Sequence, residues 1–279
     1  MSLVFGAIAP HGGMAISAAV APEVAALAAR TTAAMSELGR RFDAARPEAV
    51  IILTPHNVHV EGALAVVVAG RVAGSLEGSR PPVALNSPTD RDLAARALSE
   101  MRGADVPVVG VSYGGNNPEE AVMPMDWAVL IPHWFMGGRS TPPVPVVVVT
   151  PARDLAPEIH VQAGAALARA AAGSGRRVAI IASADHGHAH QAAGPYGFDP
   201  RAEEYDERVL EIVEAGRLDG LLGISPALVA GAKADSWWQM LMLHGALGDG
   251  WLGELLSYQA PTYFGMLCAS YRPNGHSTS

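Results

Sequence analysis

The chain has 279 residues, 49% of them hydrophobic and 16% charged, so it is long and apolar enough to bury a core. The net charge of −8 argues against a general nucleic-acid-binding protein, which needs a basic face. Cys268 is the single cysteine, so a disulfide within the chain is excluded. With no basic leader and no long apolar window, we expect a soluble, cytoplasmic protein that does not enter a membrane.

Apolar runs and helical spacing predict the regular elements. Six runs are typical of buried strands: residues 3–8, 48–53, 63–68, 108–111, 145–149 and 178–182. Helical spacing predicts helices in five segments: residues 22–46, 89–101, 154–172, 201–215 and 234–247. Thr89-Asp90 is the predicted N-cap of the second helix. Because strands alternate with helices, we predict an α/β fold with a mostly parallel or mixed sheet flanked by helices. We expect a single domain, residues 1–279.

Three further stretches are less regular. Residues 112–126 are rich in Gly, Asn and Pro, which predicts a long irregular loop. Residues 126–135 are apolar and fit a short helix or a strand. The Gly- and aromatic-rich segment after residue 247 is expected to close over the sheet.

Histidines follow three of the predicted strands. His11 follows residues 3–8, and His56 follows residues 48–53, each directly behind a proline. The other histidines of these loops are His59, three residues beyond His56, and the alternating His186, His188 and His190 after residues 178–182. The carboxyl ends of strands in an open α/β sheet meet at one crevice. We therefore expect an imidazole-rich site there, suited to a metal or to acid–base catalysis.

A divalent metal bound by two neutral imidazoles also needs a carboxylate. Asp235 is the best candidate because it begins an apolar, aromatic helix, although an acid there also suits the helix dipole. Glu254 is the alternative ligand, and Asp185 could orient one imidazole. The sequence contains no Gly-x-Ser-x-Gly elbow, no phosphate-binding P-loop and no His-Glu-x-x-His zinc motif.

From His11 to about Leu247, these segments resemble the class III extradiol ring-cleavage dioxygenases. That superfamily includes the B-type catalytic subunit of protocatechuate 4,5-dioxygenase. Its members have one His after an N-terminal strand, another at a second strand end and a third after a later Ser/Gly-rich strand end. A downstream acid then precedes an aromatic helix that ends in Gly-Ala-Leu, as Asp235 does here.

The resemblance implies a non-haem Fe(II) held by His11, His56 and Asp235, with Mn or Zn as alternative metals. It implies an acid/base role for His188, with His186 as the alternative because the register is open. The implied reaction opens the ring of a catechol-type or 2-aminophenol-type aromatic with both atoms of O₂. The small aromatic substrate and O₂ are therefore the expected partners.

The chain departs from the family pattern at two places. The family carboxylate is commonly Glu, whereas this chain offers Asp235. Many members have Asp-His-Gly where this chain has Asp126-Trp127-Ala128, which puts the usual substrate contact in doubt. His133 or an apolar stacking partner could replace it, so Trp127, His133 and Tyr113 are the candidate substrate-binding residues. For Trp237, packing in the core is the preferred interpretation.

Two other functions stay open at this point. The same fold serves mediator-of-motility-like proteins, which are binding proteins without enzymatic activity, and a metal-dependent hydrolase using zinc is a further alternative. A homo-oligomer and a small partner subunit that caps the site also remain open.

Overall fold

The candidate site lies on an eight-stranded mixed sheet. The computed structural model describes residues 3–79 and 81–275. The strands of this sheet are β1 (Leu3–Ala9), β2 (Ala49–Leu53), β3 (Leu64–Val67), β6 (Val108–Val111), β8 (Val146–Thr150), β9 (Val178–Ser183), β10 (Trp251–Gln259) and β11 (Met266–Pro273). Their order across the sheet is β10-β11-β1-β9-β2-β8-β3-β6. A second sheet, in the order β5-β4-β7, consists of β4 (Arg71–Leu76), β5 (Val83–Pro88) and β7 (Val122–Pro124).

Helices cover both faces of the large sheet. They are α1 (Pro22–Leu27), α2 (Ala29–Ala45), α3 (Arg91–Gly103), α4 (Trp127–Phe135), α5 (Pro157–Gly173), α6 (Arg201–Glu214), α7 (Pro226–Ala232) and α8 (Trp237–Leu247). The central strands β2, β8 and β9 are buried along their whole length, which explains why they are continuous apolar runs. No helix of the described part of the chain is long and apolar enough to cross a bilayer.

The centre of the sheet brings the predicted histidine loops together. Strand β9 pairs in parallel with β1 on one side and with β2 on the other. Ala182 of β9 is in register with Ile8 of β1 and with Leu53 of β2, so the three strands end at the same level. The loops that carry His11, His56 and His188 therefore leave the sheet at one edge.

Helix α8 fixes the position of the acid that precedes it. It packs closely on α5, and a Cβ added at Gly164 or Gly245 would lie 1.9 Å from a backbone oxygen of the facing helix. The two glycines therefore let the helix backbones approach at a distance that a larger residue prevents. This contact, in the second half of α8, fixes against α5 the helix that Asp235 precedes.

The predicted α/β class is confirmed, and each of the six predicted strands is present within one or two residues of its expected bounds. The predicted helix 22–46 is two helices that meet at Ala28, and residues 126–135 contain a helix. The expectation that the segment after residue 247 closes over the sheet is wrong. That segment forms the antiparallel hairpin β10–β11, which extends the sheet beside β1.

Candidate metal centre

Three side chains converge at the carboxyl ends of β1, β2 and β9. His11, His56 and Asp235 each offer a ligand atom, and these atoms all lie within 4.8 Å of one another. Asp235 Oδ2 is 3.5 Å from Nε2 of His11 and 3.5 Å from Nε2 of His56. The other oxygen, Asp235 Oδ1, is buried without a hydrogen-bond partner among the described residues. Two imidazoles and one carboxylate form the donor set that suits Fe(II) and leaves coordination positions open, so the residues fit a metal of this kind.

A hydrogen-bond chain sets the tautomer of His11. The Ser183 hydroxyl lies 2.5 Å from the Ala128 carbonyl oxygen, which can only accept, so the hydroxyl donates to it. The Ser183 oxygen must then accept from Nδ1 of His11, which lies 3.0 Å away. His11 therefore carries a proton on Nδ1, and its Nε2 is the atom that can bind a metal.

The surroundings shift the pKa values of the two imidazoles in opposite directions. Burial opposes a charge on His11, but the carboxylates of Asp185 and Asp235 outweigh it and raise the pKa of His11 to about 9. Burial and the charge on His11 lower the pKa of His56 to about 4. Burial alone would raise the pKa of Asp235, yet the neighbouring His11 holds that pKa below its usual value. The proton on His11 thus compensates the buried acid that a metal would otherwise neutralise.

Two further side chains hold the ligands in place. Asp185 accepts a hydrogen bond from the backbone N–H of His11 at 3.0 Å, and its second oxygen lies 3.5 Å from Nε2 of His11. Gln239, on the first turn of α8, donates to the backbone carbonyl oxygens of both Asp235 and Ser183. Gln239 therefore ties the start of α8 to the end of β9.

His188 faces the same space as the candidate ligands. It lines two adjoining cavities of about 510 and 680 Å³, both of which also include His56 and Asp235. Its Nδ1 donates to the backbone carbonyl oxygen of His186 at 2.7 Å, and its ring stacks on Phe264 at 5.6 Å. Nδ1 is thus occupied, and Nε2 is the nitrogen left to exchange a proton.

The other histidines of the predicted loops have different surroundings. His186 is fully buried, with Nδ1 3.0 Å from the Ser236 hydroxyl, and it lines neither of the two cavities that His188 lines. His190 Nε2 lies 2.9 Å from Asp206, and His59 is exposed. Between the two alternatives for an acid/base, only the position of His188 gives access to the cavity.

The structure separates the candidate substrate-binding residues. Trp127 packs against His56 with ring centroids 4.5 Å apart, and Tyr113 lines an adjoining groove with both of them. His133 is not in the site, because it is fully buried between Ser87 and the Met136 carbonyl oxygen. The expectation that His133 contacts substrate is therefore wrong. Trp237 is buried, and its indole N–H donates to the Leu221 carbonyl oxygen, as core packing predicts.

Glu254 lies elsewhere and is not brought to the metal centre. It is an exposed residue of β10 whose carboxylate pairs with Arg41 at 2.8 Å. Asp235 is the acid that the fold places beside His11 and His56.

Comparison with known proteins agrees with this architecture. The family model for the catalytic LigB subunit of aromatic ring-opening dioxygenase matches residues 6–267. The chain belongs to this family. The resemblance noted in the sequence is thereby confirmed, and the LigB match spans the whole candidate metal centre.

Two relatives extend the comparison. Protein CA_C1420 of Clostridium acetobutylicum is 23% identical over 231 residues, which are 82% of this chain and 49% of that protein. This LigB-family chain thus spans about half the length of the curated relative. The crystal structure of uncharacterized protein JW3007 from Escherichia coli K12 has a TM-score of 0.61 at 16% identity, covering 96% of this chain and 99% of that one. At that identity the likeness concerns the fold.

Sequence reasoning missed several residues around the centre. Gln239 and Ser183 orient the ligands, and Arg153, Lys233 and Tyr196 line the cavity. Lys233 and Gln239 flank Asp235 in the sequence, so their nearness to the acid was the available signal. Arg153 carries no such signal, because only the pairing of β8 beside β2 brings it near His56.

Proposed function

We propose that this protein is a non-haem Fe(II)-dependent extradiol dioxygenase that opens the ring of a catechol-type or 2-aminophenol-type aromatic. The observation that carries the proposal is the convergence of His11, His56 and Asp235 within 4.8 Å, beside a cavity that His188 also lines. A ferrous ion held by these three side chains supplies a redox-active centre with open coordination positions. Both atoms of O₂ enter the product, and one carbon–carbon bond of the ring breaks.

The protein's own groups bind the substrate and move its proton. His188 Nε2 accepts a proton from a ring hydroxyl and returns it later in the reaction, since Nδ1 is committed to the His186 carbonyl oxygen. Trp127 and Phe264 provide apolar faces at the cavity for a flat ring. Ser183 and Asp185 keep the His11 ring in the orientation that presents Nε2.

The test begins with metal-free protein that is reconstituted anaerobically with Fe(II) or with Zn(II). Oxygen uptake is then measured with catechol, with dihydroxybenzoates and with 2-aminophenol. We expect uptake and a yellow ring-opened product with Fe(II) alone. His11→Ala should lose both iron and uptake, whereas His188→Ala should keep iron and lose most of its turnover. His244→Ala is the matched control, because His244 is outside the metal cluster and lines neither the two cavities nor the adjoining groove.

Each contrary result replaces the proposal with a defined alternative. Full turnover by iron-loaded His188→Ala removes the acid/base role from His188. Activity with zinc and none with iron favours a metal-dependent hydrolase. Failure to bind iron at all favours a mediator-of-motility-like binding protein of the same fold.

A further inference from the structure

His56 differs from the other imidazoles of the site in how its ring is held. Nδ1 of His11 donates to the Ser183 hydroxyl, and Nδ1 of His188 donates to a backbone carbonyl oxygen. The hydrogen bonds of His56 to other described residues involve only its backbone N–H and carbonyl oxygen. A histidine that binds a metal usually donates its second nitrogen to an acceptor, which fixes the plane of the ring. What packs on the His56 ring therefore determines its plane.

The indole of Trp127 packs on the His56 ring. The two ring centroids are 4.5 Å apart at an interplanar angle of 41°, and the His11 ring lies edge-on to His56 at 5.2 Å. The His56 imidazole thus contacts a second candidate ligand and an indole. Trp127 is 51% exposed, so burial of its own apolar surface does not account for its position. A contact between two aromatic rings stabilises their relative orientation beyond the area that it buries.

The carboxylate of Asp126 fixes Trp127 relative to the His56 loop. Trp127 is the first residue of α4, and Asp126 caps that helix by accepting from two backbone N–H groups of its first turn. The same carboxylate accepts from the side chain of Thr54 at 3.4 Å and from that of Asn57 at 3.1 Å. Thr54 and Asn57 stand on either side of His56 in the sequence. A single acid therefore ties the start of the helix to both sides of the loop.

Asn57 adds a second tie between the two segments. It follows His56 directly and has φ 75°, a backbone conformation that residues other than glycine rarely adopt. Its side-chain amide donates to the Pro124 carbonyl oxygen at 2.9 Å as well as to Asp126. These two hydrogen bonds stabilise the uncommon backbone conformation. The turn after His56 is thus fixed to the segment that carries Trp127.

We propose that Trp127 is a positioning residue of the metal centre, whose indole holds the His56 imidazole in the plane in which it binds the metal. The contact takes the place of the hydrogen bond that holds the ring of His11. Because the His56 ring is ordered before the ion arrives, binding costs less conformational entropy and the affinity rises. This inference rests on the metal-binding part of the proposed function and is independent of the reaction and its substrate.

The first test measures metal affinity without turnover. Metal-free wild type, Trp127→Leu and Trp127→Phe are titrated with Zn(II) in competition with a chelator. Zn(II) has no redox chemistry, so its affinity is measured without oxygen or substrate. We expect Trp127→Leu to bind Zn(II) on the order of tenfold more weakly, as when a group that orients a ligand is removed. Trp127→Phe keeps an aromatic face and should stay within about threefold of the wild type.

Trp134→Leu is the matched control, because Trp134 lies on the same helix, packs against Arg139 and is outside the metal cluster. It should leave the Zn(II) affinity unchanged. A double-mutant cycle tests whether Trp127 acts through His56, since in a His56→Ala background Trp127→Leu should not weaken the residual affinity further. Equal affinity of wild type and Trp127→Leu overturns the inference. A similar loss in Trp127→Phe, in Trp134→Leu or in the His56→Ala background also overturns it.

A second measurement separates this inference from the proposed function. NMR relaxation of metal-free protein with ¹³C-labelled histidine gives the order parameter of the His56 ring, assigned by its loss in His56→Ala. We expect the ring to lose order in Trp127→Leu and to keep it in Trp134→Leu, and an unchanged order parameter in Trp127→Leu overturns the inference. Wild type that binds no Zn(II) overturns both the inference and the metal site. The expected changes in order and affinity, without oxygen uptake by Fe(II)-loaded protein, support the inference and count against the dioxygenase.

Discussion

The buried His133 should give the protein a measurable dependence of stability on pH. Its Nδ1 lies 3.1 Å from the Met136 carbonyl oxygen, so Nδ1 is the donor, and Nε2 accepts from the Ser87 hydroxyl at 3.0 Å. Burial lowers the pKa of His133 from 6.5 to about 4, although the bond to Met136 opposes this shift. Between these two pH values the unfolded chain binds a proton at this residue and the folded protein does not. The free energy of unfolding must therefore fall as the pH falls from 6.5 toward 4.

The size of the effect follows from the shift. At roughly 1.4 kcal/mol for each pKa unit, His133 alone lowers the free energy of unfolding by about 3 kcal/mol across this window. His133→Asn keeps a donor for the Met136 carbonyl oxygen and cannot be protonated. Urea unfolding is measured for both proteins at about pH 7 and about pH 4, and the two pH-dependent losses are subtracted. The pKa values of His56 and His186 are also lowered to about 4, but their contributions are common to both proteins and cancel.

Parallel pH curves for the two proteins would refute this account of His133. The same variant tests whether His133 contacts substrate. Because His133 is outside the lining of both cavities beside the metal centre, His133→Asn should leave Fe(II)-dependent oxygen uptake unchanged at about pH 7. A loss of uptake by the folded, iron-loaded variant would restore His133 as a substrate-binding residue.

Three further outcomes are expected. Gly164→Ala should lower the free energy of unfolding by about 2 kcal/mol or more despite the better helix propensity of alanine, because the added Cβ lies 1.9 Å from a carbonyl oxygen of α8. Gly173→Ala at the end of the same helix has only a side-chain contact at 3.7 Å and should stay within about 0.5 kcal/mol of wild type in urea unfolding. Burial raises the pKa of the Cys268 thiol to about 12. A thiol reagent at mildly alkaline pH should therefore label Cys268 only after denaturant is added, and rapid labelling of the folded protein would contradict this. In competition with a chelator, Asp235→Asn should weaken Fe(II) binding at least about a hundredfold, whereas Glu254→Gln should leave Fe(II) binding unchanged. The reverse result would make Glu254 the metal ligand.

The sequence predicted the central sheet well because its strands are buried on both faces. Such strands appear as continuous Val-, Ile- and Ala-rich runs, and they differ clearly from the polar segments around them. The hairpin β10–β11 was missed because β10 is partly exposed and combines Gly253, Glu254 and Ser257 with apolar residues. The second sheet was missed for a similar reason, since β4 and β5 are short and alternate exposed with buried positions.

The metal centre could be predicted further than the cavity beside it. His11, His56 and Asp235 were identifiable because each directly follows a strand or precedes a helix, and the fold class fixes where such positions meet. His133 was assigned to the site from its closeness in sequence to Trp127. Only the structure reveals that helix α4 turns it inward toward β5. The hydrophobic pattern of a short, uniformly apolar helix does not show which of its sides faces a cavity.

Local rules of protein structure are broken where the proposed chemistry takes place. Asp185 and Asp235 are buried acids on either side of one imidazole, an arrangement that costs stability unless a cation is present. Asn57, next to a candidate ligand, has φ 75° without ending a helix. Of the other described non-glycine residues with positive φ, Arg46 and Lys233 end α2 and α7, where the left-handed conformation is common, and Asp105 follows α3. Two buried acids and a strained backbone at the same strand edge support the proposed metal site.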